Sequence, residues 1–176
     1  EQCSTLMQSI IKLPQPVIAQ IHGTAAAAGC QLVATCDLAI ASTTAKFATP
    51  GVNIGLFCST PMVAVSRKLP RKKMMEMLLM GDLVDAETAL EFGLINRVVA
   101  YDQLEETVSN YANKIREKSP LVLKIGKEAF YNQIDMPLAD AYKYTAEVMT
   151  QNMLVQDANE GINAFIEKRA PTWTGK

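Results

Sequence analysis

Hydrophobic and polar positions change their period several times along the first hundred residues of the chain. Apolar residues at helical spacing predict helices over 3–12 and 29–35. Short, largely apolar runs predict buried strands at 17–21, 37–42 and 45–50. Strands of this kind that alternate with helices are typical of an α/β fold.

From residue 62 onward, helical spacing prevails. A Met- and Leu-rich run over 71–80 predicts a helix that ends at Gly81, since glycine is favoured just after the last helical turn. Asp85 is positioned to cap a further helix, because its side chain can accept a hydrogen bond from the backbone three residues on. A short apolar strand is predicted at 94–99.

Only helical patterns occur from about residue 103 to the last residue. Ser119 and Pro120 form a favourable N-cap and first helical position, and further helical segments follow them. We therefore predict two parts: an α/β body over 1–102 and a helical subdomain over 103–176. No internal repeat or low-complexity linker separates them.

The composition excludes two classes of protein. The chain has 176 residues, of which 49% are hydrophobic, so it can bury a sizeable core. Its 17 basic and 18 acidic residues give a net charge of −1, which argues against a nucleic-acid-binding surface. No run approaches the roughly 20 consecutive apolar residues that span a bilayer, so we predict no membrane span.

Cysteine and histidine usage argues against metal and triad chemistry. Cys3, Cys30, Cys36 and Cys58 form no CxxC pair, and His22 is the only histidine. We therefore predict no metal site, and we interpret the cysteines as buried thiols of a reducing compartment. A single histidine also leaves no Ser-His-Asp or Cys-His mechanism unless His22 serves, and a histidine before glycine at a strand end is typically structural.

Four ordered motifs resemble those of the enoyl-CoA hydratase/isomerase (crotonase) family. The first is PVIAQIHGTAAAAGCQLVATCDLAIAS, and AKFATPGVNIGL follows it closely. The third is MLLMGDLVDAETALEFGLINRVV, and DANEGINAFIEKRAPTWTGK ends the chain. The resemblance runs from about Pro16 to Lys176 with almost no gap.

This resemblance implies the fold, the ligand and the assembly. It implies a crotonase-like spiral of ββα units, here its C-terminal portion, and a C-terminal helical subdomain used for trimerisation and coenzyme A contact. The expected ligand is an acyl-CoA thioester, with coenzyme A as part of the ligand and no separate cofactor. The expected assembly is a homotrimer or a dimer of trimers. The family also implies a mitochondrial matrix location and a role in fatty-acid and lipid metabolism.

Family members stabilise an enolate at the thioester oxygen with two backbone N–H groups. The resemblance places one donor at Ala28 and the other in a segment that precedes the sequence given. A helix-like beginning without a methionine, EQCSTLMQSII, fits the same expectation that sequence precedes Glu1. Preorganised donors of this kind contribute about 10²–10³ each to a rate.

The chain departs from the family pattern at both hydratase carboxylates, which are replaced by Gln31 and Gly51. An amide cannot accept and return a proton near neutral pH, and glycine has no side chain. A carboxylate used by other members falls here at Ser59. Each general acid–base group contributes about 10²–10⁴ to a rate, so we expect hydration to be lost or strongly reduced.

Several roles remain open at this stage. Cys58 is a conceivable nucleophile, but a small packing residue is the favoured interpretation, and Asp37 is structural in the family. Phe165 and Lys168 match the helix that contacts the adenine and phosphates of coenzyme A; a solvated lysine is the alternative. The chain is then an acyl-CoA-binding protein, an active hydratase, isomerase or hydrolase with a different proton shuttle, or a non-catalytic structural subunit.

Overall fold

The structure is a computed structural model, and it describes residues 2–176. Its contacts divide the chain into two compact units. The first unit holds the residues up to Ile11 together with Val17–Ala112, and the second holds Lys12–Pro16 together with Asn113–Lys176. The division of the main segment therefore falls ten residues beyond the predicted boundary at 102/103, inside a long helix.

Two small sheets form the first unit. One orders its strands β1, β3 and β6, all parallel, and the other orders them β2, β4 and β5, with β5 antiparallel to β4. The strands are β1 (Ile18–Ile21), β2 (Thr24–Ala26), β3 (Leu38–Ser42), β4 (Lys46–Ala48), β5 (Val84–Asp85) and β6 (Arg97–Val99).

The strand register shows that the chain winds as a repeating spiral. Ile18 of β1 pairs with Leu38 of β3, and Thr24 of β2 pairs with Lys46 of β4. Each sheet thus receives its next strand after about one turn of chain, with one helix in the first turn and several in the second. The predicted α/β layout, a spiral of ββα units, is confirmed.

The helices of the first unit follow the sequence pattern closely. They are α1 (Gln2–Lys12), α2 (Ala28–Thr35), α3 (Pro61–Val65), α4 (Arg71–Met80), α5 (Ala86–Glu91) and α6 (Leu104–Arg116), of which the end of α6 passes into the second unit. Single 3₁₀ turns lie at Pro50–Ile54 and Tyr101–Gln103. Packing around Phe47, which is fully buried, joins α2, α3 and α4 to the sheets in one core.

Two predicted helix boundaries are confirmed by their cap geometry. Gly81 ends α4 in the left-handed conformation, with φ 67°. Asp85 caps α5, and its Oδ1 accepts a hydrogen bond from the Thr88 N–H at 2.8 Å. Met74 and Met77 of α4 are buried, so this methionine face packs into the core.

The alanine run after Gly23 contains a strand that the sequence patterns did not predict. Its first part is strand β2, which pairs with β4. Three residues that carry small side chains show no alternation of polar and apolar positions, so the pattern could not indicate this strand. Only from Ala28 is the run helical.

The second unit is helical, as predicted. Its helices are α7 (Pro120–Gln133), α8 (Leu138–Met153) and α9 (Gln156–Glu167). Ser119 caps α7 by accepting a hydrogen bond from the Val122 N–H at 3.1 Å. Among the helices of residues 2–176, none is long and apolar enough to cross a membrane.

The buried carboxylate of Asp157 holds the C-terminal segment against α9. Its side chain is 1% exposed and accepts hydrogen bonds from the Ser119 hydroxyl at 2.5 Å and from the Thr174 backbone at 2.7 Å. The Gly175 N–H donates to it as well, at 3.1 Å. These donors stabilise the ionised form, so the pKa of Asp157 falls from 3.8 to about 2.

Candidate functional site

A cavity of about 940 Å³ opens in the first unit. Among residues 2–176 its lining contains apolar side chains, small polar side chains and backbone, with no charged side chain: Cys3, Ser4, Thr5, Ala27, Ala28, Gln31, Gly51, Ile54, Leu56, Phe57, Cys58, Thr60 and Pro61. The predicted positions Ala28, Gln31 and Gly51 therefore share one cavity, although 22 residues lie between the first and the last in the sequence. Cavities of this size are typical of small-molecule sites.

The turn before α2 shapes one wall of this cavity. Ala27 has φ 48° and ψ −111°, a backbone conformation that favours glycine. Its N–H donates to the Ala48 carbonyl at 3.0 Å, and its own carbonyl accepts from the Gln31 N–H at 3.0 Å. Bonds on both sides hold Ala27 in this conformation, and α2 begins at the next residue.

Ala28, the first residue of α2, presents a free backbone donor. No side chain caps the helix, and the Ala28 N–H has no hydrogen-bond acceptor among residues 2–176. The N-terminus of a helix favours negative charge, because its first N–H groups are unsatisfied and its dipole is positive there. A carbonyl oxygen in the cavity could therefore accept a hydrogen bond from Ala28.

Ala27→Gly is expected to stabilise the protein by about 1 kcal/mol. Glycine removes the strain energy of the positive φ. This gain is larger than the free-energy cost of the extra chain entropy that glycine loses on folding. Urea denaturation measures this change in the free energy of unfolding. The control Ala26→Gly, in strand β2, is expected to destabilise by about 0.5–1 kcal/mol. A destabilised Ala27→Gly variant would contradict the assignment of strain.

Gln31 presents a neutral amide to the cavity. Its side chain is 3% exposed, and its Oε1 accepts a weak hydrogen bond from the Cys3 Sγ at 3.5 Å. Cys3 lies on α1, so this helix contributes to the cavity, a role that the sequence patterns did not predict. The amphipathic spacing of α1 predicts that it packs, but not which neighbour it packs against.

Gly51 is buried in a position that leaves no room for a side chain. Its N–H donates to the Cys58 Sγ at 3.3 Å. A Cβ atom built on Gly51 would lie 3.0 Å from that sulfur and 3.0 Å from the Leu56 carbonyl oxygen. The position that the resemblance predicts for the second hydratase carboxylate therefore holds a glycine with a thiol packed over it.

Gly51→Ala is expected to destabilise the protein by about 1–3 kcal/mol, because the Leu56 backbone would have to move. The matched control is Gly23→Ala, where an added Cβ meets no atom within 4 Å, and a change within about 0.5 kcal/mol is expected. Thermal unfolding of both variants checks the difference. Equal stability of the two variants would show that the packing over Gly51 adapts freely.

The geometry of Cys58 fits a packing residue. Its side chain is 7% exposed, and its sulfur accepts the Gly51 N–H. No imidazole or carboxylate lines the cavity among residues 2–176, so no side chain there could take the thiol proton. The neighbouring Cys30 is fully buried, and desolvation raises its pKa to about 12, so its thiol stays protonated.

Two other polar residues have structural contacts. The Asp37 carboxylate accepts a hydrogen bond from the Val17 N–H at 2.7 Å, in agreement with a structural role. His22 is exposed, and its backbone carbonyl accepts from the Thr44 hydroxyl at 3.2 Å. Ser59 is exposed and lies outside the cavity lining. Within residues 2–176, no group of three or more His, Cys, Asp or Glu side chains could hold a metal ion.

The two predicted coenzyme A contacts lie on the second unit. Phe165 of α9 is 85% exposed and lines a separate, mostly apolar cavity of about 570 Å³ in that unit. Lys168 follows α9 in the left-handed conformation, with φ 55°, and its side chain is exposed. Exposed aromatic and cationic side chains on one helix end suit an adenine ring and a phosphate, but their role stays a prediction.

Comparison with known proteins agrees with this fold. The model of the family described as Enoyl-CoA hydratase/isomerase matches residues 1–176. The mitochondrial enoyl-CoA hydratase domain-containing protein 3 of Xenopus laevis is 50% identical over 172 residues, which are 98% of this chain and 58% of that protein. This chain thus spans somewhat more than half the length of that relative.

Two crystal structures are also similar. An enoyl-CoA hydratase of Mycobacterium smegmatis is 48% identical with a TM-score of 0.96, over 98% of this chain and 67% of that one. The human enoyl Coenzyme A hydratase domain-containing protein 3 is 48% identical with a TM-score of 0.95, over 97% of this chain and 68% of that one. The fold is therefore the crotonase fold, and the chain belongs to the enoyl-CoA hydratase/isomerase family.

Proposed function

We propose that this chain binds an acyl-CoA thioester in the 940 Å³ cavity and that its hydratase activity is lost or strongly reduced. The observation that carries the proposal is the free Ala28 N–H in a cavity to which residues 2–176 contribute no carboxylate. A donor that could recognise a thioester is present, whereas the described part of the chain lines the cavity with no carboxylate or imidazole that would move protons during hydration.

In this proposal the thioester carbonyl accepts a hydrogen bond from the Ala28 N–H. The positive end of the α2 dipole adds to that bond, because negative charge on the carbonyl oxygen is favoured at a helix N-terminus. The acyl chain then lies against the apolar side chains of Ile54, Leu56 and Phe57, which are exposed to solvent around the cavity. Covering these side chains supplies the hydrophobic part of the affinity.

The wider context is part of the same proposal. Relatives that are about half identical are named as mitochondrial proteins, which supports a mitochondrial location for this one. The family supports assembly as a trimer or a dimer of trimers, coenzyme A contacts at Phe165 and Lys168, and a role in fatty-acid metabolism. Exposed apolar side chains on α8 and α9, such as Met149 and Ile166, fit helices that pack against another surface.

The test is an equilibrium titration of the full-length protein with two matched ligands. Butyryl-CoA is a thioester, and S-butyl-CoA is a thioether that lacks only the carbonyl oxygen. We expect saturable binding of both, with the thioester bound about 5–10-fold more tightly, the contribution of one hydrogen bond. Equal affinities would contradict recognition by Ala28. No saturable binding of either ligand would instead support a purely structural subunit.

A further inference from the structure

The Gln31 amide has an unused hydrogen-bond donor. Gln31 is only 3% exposed, and it lines the cavity. Its oxygen accepts from the Cys3 thiol at 3.5 Å, which directs the amide nitrogen away from Cys3. That nitrogen has no partner among residues 2–176. The nitrogen is not among the fully buried, unpartnered polar atoms of residues 2–176, so it keeps accessible surface at the cavity lining, where a ligand oxygen could accept its hydrogen bond.

The spacing of Ala28 and Gln31 locates this oxygen relative to the thioester. The two residues are three apart on α2, so they lie on one face of the helix with about 5–6 Å between their Cβ atoms. If the thioester carbonyl is bound at Ala28, the Gln31 side chain therefore lies beside acyl-group atoms that are a few bonds away from that carbonyl. An acceptor oxygen there would meet the amide nitrogen.

We infer that Gln31 is a specificity-determining residue, and that it makes the cavity select acyl-CoA thioesters with an acceptor oxygen near the carbonyl, such as 3-oxoacyl groups, over purely hydrocarbon acyl groups. The inference rests on the proposed function. A carboxylate at position 31 would only accept hydrogen bonds, whereas the amide nitrogen only donates them. The hydroxyls of Ser4 and Thr60, which also line the cavity, can donate or accept and so do not impose this selection.

The selection is measured by titrating the full-length protein with acetoacetyl-CoA and butyryl-CoA at pH 7. We expect acetoacetyl-CoA to bind about 5–10-fold more tightly, the ratio that one added hydrogen bond supplies. Gln31→Met keeps the length of the side chain without a donor, and we expect the ratio to fall to about one. Gln31→Glu places an acceptor opposite the ligand oxygen, and we expect the ratio to fall below one.

The control is Leu32→Met, on the same helix but outside the cavity lining, which is expected to keep the wild-type ratio. Equal affinities in the wild type would overturn the inference and leave the proposed function standing. A ratio that persists in both Gln31 variants would do the same. Failure of the wild type to bind either ligand would overturn the proposed function, and this inference with it.

Discussion

Loss of the Asp157 carboxylate is expected to lower the unfolding temperature of the second unit by roughly 5–10 °C. The side chain is buried and accepts hydrogen bonds from Ser119, Thr174 and Gly175, so Asp157→Ala would leave the buried Ser119 hydroxyl unpaired and would remove the acceptor of the two backbone N–H groups. The segment that ends the chain would lose its attachment to α9. Thermal unfolding followed by circular dichroism measures the effect.

The control is Asp140→Asn, an exposed acidic residue in the first turn of α8, for which a change of about 1–2 °C is expected. Asp157→Asn keeps the shape of the side chain and removes its charge, so its unfolding temperature should lie between those of Asp157→Ala and Asp140→Asn. If Asp157→Ala unfolded at the same temperature as Asp140→Asn, the hydrogen bonds to Asp157 would not stabilise the unit.

The pH dependence of stability follows from the same carboxylate. Its pKa lies at about 2 in the folded protein and near 3.8 in the unfolded chain. A lowered folded pKa stabilises the protein above the unfolded value, and the stabilisation is lost as the pH falls through the folded value. The wild type should therefore lose its advantage over Asp157→Asn between about pH 4 and pH 2. A difference that stays constant across that range would contradict the ionised state of Asp157.

Gln31→Glu is expected to raise the rate of crotonyl-CoA hydration by about 10²-fold over the wild type. One general acid–base group contributes about 10²–10⁴ to a rate, and we expect the lower value because Gly51 has no side chain that could supply a second such group. In the proposed complex, the new carboxylate would accept a proton from water beside the thioester carbonyl. Steady-state hydration assays of the full-length protein measure the gain.

We expect Gly51→Glu to give no further gain in hydration activity. The Leu56 carbonyl and the Cys58 thiol already occupy the space that its Cβ needs, so we expect Gln31→Glu/Gly51→Glu to unfold more easily than Gln31→Glu and to hydrate no faster. Gln31→Met is the matched control for the loss of the amide and should show no gain. A Gln31→Glu rate equal to that of Gln31→Met would mean that some group other than position 31 limits hydration.

The fold and the composition of the site were largely predictable from the sequence. Short apolar strands with helices between them indicate an α/β spiral, and the motifs around Ala28, Gln31 and Gly51 identify one site across two turns of chain. Helix ends were predictable where a residue type determines the backbone. Gly81 is an example, because the left-handed conformation after a helix favours glycine.

Features that depend on tertiary contacts could not be predicted. The strain at Ala27 has no signal in an alanine run, since glycine would be the expected residue at that φ. The contact between Cys3 and Gln31 joins helices that are far apart in sequence, and the packing of Cys58 over Gly51 depends on the path of the intervening loop. Each depends on how elements pack, which local spacing does not encode.

The central claim is that the cavity holds a thioester but does not hydrate it, and a single-turnover experiment tests both parts. Full-length protein in molar excess is mixed with crotonyl-CoA, and bound ligand and 3-hydroxybutyryl-CoA are measured over time. Enzymes typically turn over at about 10 s⁻¹, and loss of two acid–base groups removes about 10⁴ or more of that rate. We expect crotonyl-CoA to bind, and the bound ligand to be converted at about 10⁻³ s⁻¹ or more slowly. Conversion of the bound ligand at about 10 s⁻¹ would contradict the claim.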